Sequence, residues 1–146
     1  MKKFLIVLLC LFTCTLCACS SSKPLSQDAF LSLMTKNDYL ITSGDYSTLH
    51  ASIAEKGNIR FVLIEYPSDD IASIRKTFNE SKKQLQNDSI GYTVESDSGL
   101  FCIYNSDSLD AIAYNNNFCL VCEIEDASSD EIKEARKILK SFDYGE

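Results

Sequence analysis

The sequence predicts one α+β domain of two layers, an antiparallel sheet with helices packed on one face. Segments with apolar residues at helical spacing alternate with short strand-like runs in the order α-β-β-β-α-β-β-β-β-α. Turn residues such as Gly57-Asn58 and Asn115-Asn116-Asn117 separate neighbouring runs, and such short connections join antiparallel strands. We therefore expect residues 26–146 to form a single domain, long enough for one hydrophobic core.

A capped helix opens the predicted domain. Ser26 can accept a hydrogen bond at the helix N-terminus, and apolar residues recur at helical spacing over residues 26–36. Strand-like runs follow at residues 39–42, 49–54 and 59–66. A turn is expected at residues 43–45, and His50 and Ser52 are expected to face solvent because they alternate with apolar residues. The run at 59–66 is apolar on both faces, which predicts a central strand.

The second half of the domain follows a similar pattern. Ser68-Asp69-Asp70 predicts the start of a helix that ends near Asn87-Asp88-Ser89. Four strand-like runs follow, at residues 90–95, 100–104, 109–114 and 118–124. The last helix is expected to begin at Ser128, with Glu131 completing a capping box.

A weak internal repeat relates the two halves. Matching residues are spaced alike in each half: Ile53-Ala54, Asn58 and Val62 in the first, and Ile112-Ala113, Asn117 and Val121 in the second. An acid-capped helix follows each set, at Asp70-Ile71 and at Glu131-Ile132. The pattern fits a duplicated β-β-α unit, and it fits equally two unrelated hairpins that each precede a helix.

The segment before the domain has the features of an export signal. Lys2 and Lys3 precede an apolar run over residues 4–18, shorter than the roughly 20 residues that a spanning helix needs. Leu16-Cys17-Ala18-Cys19 resembles the lipobox of bacterial lipoproteins, with Cys17 where Ala, Ser or Thr is commoner. The resemblance implies cleavage between Ala18 and Cys19 and a diacylglycerol on the Cys19 thiol. Ordinary signal cleavage, leaving a free Cys19, is the alternative.

The expected organisation is a signal peptide at residues 1–18, a lipidated flexible tether at 19–25 and the domain at 26–146. The mature chain has 12 Lys and Arg against 21 Asp and Glu, a formal charge of −9. An acidic domain is repelled by anionic headgroups and by nucleic acid, so no nucleic-acid partner is expected. The lipid is therefore expected to hold the protein on the extracytoplasmic face of the cell membrane.

Three cysteines follow the predicted anchor, at positions 102, 119 and 122, and one disulfide between them is left open. Cys119 and Cys122 have C-x-x-C spacing within a predicted strand, where residues three apart face opposite ways, so neither a redox pair nor a zinc site is expected. Cys122 is expected in the core. A Cys102–Cys119 disulfide is the pairing left open, should their strands be neighbours.

The remaining polar residues have simpler explanations than catalysis. His50 is the only histidine, and no G-x-S-x-G motif accompanies it. The acidic residues near the last helix lack the D-x-D-x-D-G pattern of a calcium loop and fit helix capping: Glu123, Glu125, Asp126, Asp130 and Glu131. Asp97, Asp107 and Asp110 fit turns. No catalytic residue, metal or cofactor is therefore expected.

The chain shows one further resemblance, which covers most of residues 26–144 and rests on packing patterns. The residues that carry it are Ala29-Phe30, Asp38-Tyr39, the run at 59–66 and the segment at 138–144. In these the chain resembles a set of small uncharacterised lipoproteins of low-GC Gram-positive, Clostridia-like bacteria. The resemblance implies no activity. The expected function is a membrane-anchored surface lipoprotein that binds a protein or small-molecule ligand without catalysis. The alternative is a cell-envelope enzyme or enzyme inhibitor that uses His50 or clustered acids.

Overall fold

The computed structural model describes residues 22–46 and 49–145. The predicted signal peptide, Ala18 and Cys19 lie outside these residues. The helices are α1 (Gln27–Lys36), α2 (Ile71–Asp88) and α3 (Ser129–Leu139). The strands are β1 (Lys23–Pro24), β2 (Leu40–Tyr46), β3 (Leu49–Lys56), β4 (Ile59–Glu65), β5 (Thr93–Asp97), β6 (Leu100–Tyr104), β7 (Leu109–Asn115), β8 (Phe118–Ile124) and β9 (Phe142–Asp143).

Seven of these strands form one antiparallel sheet in the order β2-β3-β4-β8-β7-β6-β5. Strands that follow each other in the chain are neighbours throughout, except where β4 pairs with β8 at the middle of the sheet. β1 and β9 form a separate parallel pair. The α+β class, the antiparallel sheet and the interior position of the strand at 59–65 are confirmed.

The side chains of the sheet alternate between two faces. The face that bears Leu100 and Cys102 packs under α1 and α3, and we call it the core face. The face that bears Phe101 and Ile103 packs under α2, and we call it the α2 face. The predicted placement of all helices on one face is therefore not what the structure has. β6, β7 and β8 are largely apolar on both sides, and such strands need cover on both faces.

The predicted caps are confirmed for two of the helices. At α1, the Ser26 side chain accepts a hydrogen bond from the backbone nitrogen of Ala29 over 3.3 Å. At α3, Ser128 and Glu131 form both bonds of the capping box. α2 begins at Ile71 after Asp70, whose side chain makes no cap hydrogen bond. A helix of this length, packed through Ile74 and Phe78, is stabilised mainly by that packing.

Two local predictions in the first hairpin are wrong. β2 runs straight through residues 43–45, where a turn was expected. The His50 side chain remains 36% exposed, but Ser52, on the same face of β3, is turned to the core and is 1% exposed. Burial of this hydroxyl is tolerated because Ser52 Oγ and Ser43 Oγ are hydrogen-bonded at 2.9 Å across β2 and β3.

The internal repeat is present in the strands. Ile53 pairs with Val62 in the β3–β4 hairpin, and Ile112 pairs with Val121 in the β7–β8 hairpin. The two hairpins meet where Val62 pairs with Val121, so a local two-fold axis passes through that pair. The helices do not follow this symmetry, because α2 and α3 lie on opposite faces. The repeat therefore comprises strands only, and it extends to β2 and β6, which pair with β3 and β7 in equivalent register.

Equivalent asparagines join the two hairpins. Asn58 Nδ2 donates to the backbone carbonyl of Asp126 over 3.1 Å, just beyond the end of β8. Asn117 Nδ2 donates to the backbone carbonyl of Tyr66 over 3.2 Å, just beyond the end of β4. Each hairpin turn therefore satisfies a carbonyl that the neighbouring strand leaves unpaired.

Residues 22–25, which the sequence assigns to the tether, contact the domain. Lys23 and Pro24 pair with Phe142 and Asp143, and Leu25 is 1% exposed within the core. The Ser22 hydroxyl donates to the Asp143 carboxylate. Ser22, which follows Cys19 closely in the sequence, is therefore in contact with the domain.

Replacing Gly57 by alanine should lower the free energy of unfolding by about 1–2 kcal/mol. Gly57 has φ +58°, and a Cβ there would lie 2.5 Å from Glu131 Oε1, an atom that accepts a hydrogen bond from the backbone of Asn58. Gly91→Ala is a matched control, because Gly91 also has positive φ but no atom within 4 Å of an added Cβ. Denaturant unfolding should show the larger loss for Gly57→Ala; equal losses would contradict the role of the Glu131 contact.

Candidate functional site

The α2 face is covered only in part by the described residues. α2 packs over β6, β7 and β8, while on the same face of β3 and β4 Ala51 is 7% exposed and Ile64 packs at the margin of the α2 cluster. Ile53, Val62, Ile64 and Val121 are only partly buried there, and we call these four residues the open surface. Leu40, at the edge of the sheet on the same face, is 69% exposed. An apolar sheet face that is left bare is typical of an interaction site.

A shallow cavity of about 210 Å³ lies on the open surface. Its lining consists of Arg60, Val62, Ile64, Val121 and Glu123. Pockets for drug-sized ligands span roughly 300–1,000 Å³ and enclose most of the ligand. A cavity of this size suits one side chain of a larger partner better than a whole small molecule.

Charged side chains border the open surface in a row across four strands. Glu55 pairs with Arg60, Arg60 with Glu123, and Glu123 with Asp110. We call Glu55, Arg60, Glu123 and Asp110 the charged row. Arg60 Nε lies 3.5 Å from Glu55 Oε1. The row thus contains three carboxylates and one guanidinium, which is paired with Glu55, and it carries an excess of negative charge.

Asp110 shows the effect of that excess. It lies within β7, so its prediction as a turn residue is wrong. Partial burial raises the pKa of the Asp110 carboxyl, and the negative charges of Glu123, Glu125 and Asp88 raise it further. The negative charge of the neighbouring carboxylates therefore works against ionisation of Asp110.

Asp110→Asn should raise the melting temperature at pH 7 by a few degrees. Because folding raises the pKa of Asp110, the folded state binds the carboxyl proton more tightly than the unfolded state does. The free energy of unfolding therefore falls as the pH rises from the pKa of the unfolded state through the higher pKa of the folded state. The penalty is complete at neutral pH and absent near pH 3, where aspartic acid is neutral in both states. Thermal unfolding at both pH values should show the gain only at pH 7. Asp130→Asn, at an exposed carboxylate paired with Lys133, should give no gain, and a gain there would contradict the account.

His50 lies apart from the open surface, on the core face near the end of the sheet. His50 Nδ1 is 2.9 Å from Asp45 Oδ1, and His50 Nε2 is 3.3 Å from Gln27 Nε2 in α1. The side chain is 36% exposed. Glu65 is the cross-strand neighbour. Both ring nitrogens therefore have partners within the described residues, and the position at Nε2 that a nucleophile would occupy is taken by an amide.

The three cysteines of the domain are free and buried. β7 lies between β6 and β8, and Cys102 faces the core side while Cys119 faces α2. The predicted Cys102–Cys119 disulfide is incompatible with this arrangement, because neighbouring strands and a shared face are both required. Cys122 is a core residue, as predicted. Burial raises the pKa of Cys102 and of Cys119 to about 12, which favours the protonated thiol near neutral pH.

Of the acidic residues that the sequence assigned to the start of α3, Glu131 serves that role, whereas Glu123 lies in β8 and belongs to the charged row. Glu131 accepts hydrogen bonds from the backbone nitrogens of Ser128 and Asn58, over 2.8 and 3.1 Å, and these bonds lower the pKa of its carboxyl. The helix start is thereby joined to the β3–β4 turn. Across residues 22–46 and 49–145, no group of three or more His, Cys, Asp or Glu side chains is placed to hold a metal ion.

One polar cluster that the sequence pattern did not reveal joins α3 to the edge strand β5. Glu95 accepts hydrogen bonds from Arg136 and from the Tyr104 hydroxyl, and the guanidinium carbon of Arg136 lies 4.0 Å from the Tyr104 ring centre. Burial raises the pKa of the Glu95 carboxyl, but the Arg136 hydrogen bond and the charges of Arg136 and Lys140 outweigh it and leave the pKa lowered. The cluster holds β5 against α3.

None of the helices in the described part of the chain is long and apolar enough to cross a membrane. Comparison with protein-family models, with curated proteins and with solved structures gave no match. The fold and its surface define the protein as a small α+β domain with an antiparallel sheet, helices on both faces and a partly open apolar side.

Proposed function

We propose that this chain is a lipid-anchored bacterial surface protein, held through Cys19 on the extracytoplasmic face of the cell membrane, and that its domain is a non-enzymatic binding module. The observation that carries the binding function is the open surface. Ile53, Val62 and Val121 form one cross-strand row that continues under α2 as Ile112 and Phe101. A partner that covers the open surface would bury the apolar row along its whole length.

The proposed anchor rests on Leu16-Cys17-Ala18-Cys19 and on the polar residues after it. Each buried methylene contributes roughly 0.8 kcal/mol, and two acyl chains suffice for stable attachment where one does not. Because Ser22 and Leu25 already contact the domain, the anchor would hold the domain close to the headgroups.

The position of the charged row supports an outward-facing binding site. Residues 22–25 lie near the Asn115 end of β7, and Asp143 connects the two. Asn115 Nδ2 donates to the backbone carbonyl of Asp143 over 3.2 Å, and the Asp143 carboxylate accepts from the Ser22 hydroxyl. Asp110 lies near the opposite end of β7, about 17 Å away at the rise of an extended strand. The charged row would thus lie at the end of the sheet remote from the membrane.

The alternative function, an envelope enzyme or enzyme inhibitor, would rest on the His50–Asp45 pair. That pair orients the imidazole, but Gln27 occupies the other ring nitrogen. The open surface lacks a nucleophile among its lining residues, which are Arg60, Val62, Ile64, Val121 and Glu123. We therefore propose binding ahead of catalysis.

Site-directed photo-cross-linking in the intact cell tests the binding function. A photo-reactive amino acid replacing Val62 or Val121 in the full-length chain should give a discrete adduct. The matched control replaces Lys76 or Glu80, which are 75% and 70% exposed on α2. Adducts at the sheet positions without adducts at the α2 positions support the proposal. Equal labelling at all four positions, or labelling at none, contradicts it.

A further inference from the structure

We propose that the open surface and the charged row together bind a cationic segment of polypeptide in which basic and apolar side chains alternate. This inference rests on the proposed binding function and names the class of partner. It joins two features that lie side by side on the α2 face: the apolar row of Ile53, Val62 and Val121, and the charged row.

The apolar part of the recognition follows from the cavity. Its volume of about 210 Å³ exceeds the roughly 150 Å³ of an internal cavity that accepts benzene. One aromatic or branched aliphatic side chain can therefore enter it. Val62, Val121 and the partly buried Ile64 supply its apolar lining.

The charged part follows from the imbalance of the row. Arg60 is flanked by Glu55 and Glu123, and Asp110 has no basic residue as a cross-strand neighbour. Glu125 and Asp88 add negative charge near Asp110. A lysine or arginine of a partner placed beside Asp110 and Glu123 would supply the missing cation, and its apolar neighbours would reach the cavity.

The same charges disfavour other occupants. The mature chain carries a formal charge of −9, so a second copy of the chain would bring two acidic rows together. An acidic peptide or a nucleic acid would be repelled for the same reason. A purely apolar partner would bury the floor but leave the carboxylates of the row without a cation.

Peptide binding to the full mature chain carrying Cys19→Ala tests this inference. The probes are three fluorescent 12-residue peptides, with alternating Lys and Leu, alternating Lys and Ser, and alternating Glu and Leu. We expect the Lys-Leu peptide to bind about 10-fold or more tightly than either of the others in fluorescence anisotropy. We expect its affinity to fall as salt rises, because screening weakens the attraction. Equal binding of the Lys-Ser or Glu-Leu peptide overturns the inference.

Matched variants separate this site from general attraction to an acidic protein. Asp110→Asn with Glu123→Gln should weaken Lys-Leu binding about 10-fold, and Val62→Ser should weaken it by a similar factor. The control, Glu80→Gln with Asp130→Asn, removes the same charge at exposed positions away from the open surface and should leave the affinity unchanged. An equal loss in the control, or self-association of the chain that Val62→Ser abolishes, overturns the inference.

The two proposals fail in different ways. Cross-linking at Val62 and Val121 to a neutral or acidic partner, without Lys-Leu binding, overturns the class of partner and leaves the binding function intact. Absence of both cross-linking and peptide binding overturns the binding function itself.

Discussion

Replacement of Phe61 by alanine should lower the free energy of unfolding by about 3–5 kcal/mol, the usual cost of removing a fully buried phenylalanine. Phe61 is 0% exposed and lies on the core face of an interior strand, opposite Cys122. Its ring meets the Tyr39 ring edge to face, with centroids 5.9 Å apart. The variant would leave a cavity between the sheet and the helices, measurable by urea unfolding.

Val62→Ala is the matched control for Phe61→Ala. The two residues are adjacent in β4, but Val62 points to the open surface and is only partly buried. We expect its truncation to cost less than about 1 kcal/mol, because little of the side chain leaves an apolar environment. Comparable losses for the two variants would mean that both faces are equally covered, and the open surface would not exist.

Cys19→Ala should abolish the attachment of the mature protein to the membrane. The thiol is the atom that would carry the diacylglycerol, and without it neither the lipid nor the lipoprotein-specific cleavage can follow. Cell fractionation should find wild-type protein in the membrane pellet. It should find the variant either soluble or as an uncleaved precursor about 2 kDa larger.

Cys17→Ala is the control for the anchor. Cys17 precedes the small residue of the motif and occupies a tolerant position, so its replacement should leave the mature protein lipidated and in the pellet. A Cys19→Ala protein of mature size that stays membrane-bound contradicts the anchor. Loss of attachment in Cys17→Ala would contradict the assignment to Cys19.

Most elements of the fold could be predicted from local pattern. The caps at Ser26 and Ser128 use neighbouring residues only, and the strands from 100 to 124 are separated by clear turns. The distribution of helices between the two faces could not be predicted. β6 is apolar at every residue from Leu100 to Ile103, and this pattern does not say which helix covers which side.

Ser52 shows why the alternation of polar and apolar residues did not predict which side chains of β3 are buried. Alternation placed Ser52 toward solvent, but Ser43 satisfies its hydroxyl across the sheet, and burial follows from that long-range bond. The pairing with Ser43 depends on register between β2 and β3, which single-strand patterns do not contain.

The candidate site could not be predicted from the sequence either, because it too depends on the pairing of strands. The charged row consists of two hairpin pairs, Glu55 with Arg60 and Asp110 with Glu123, and these two pairs become neighbours only through the pairing of β4 with β8. The sequence assigned Asp110 to a turn and Glu123 to the surroundings of a helix cap. The match between Val62 and Val121 in the repeat was the one available signal, and it marked the centre of the sheet rather than a function.

The most direct test of the binding surface is a nuclear magnetic resonance titration of the isotope-labelled full mature chain carrying Cys19→Ala with the Lys-Leu peptide. We predict that the largest chemical-shift changes occur at Ile53, Val62 and Val121 and at the adjoining Glu123 and Asp110. Residues of α1 and α3 should change little. Changes centred on His50 and Gln27, or no changes on the α2 face, would contradict the assignment of binding to the open surface.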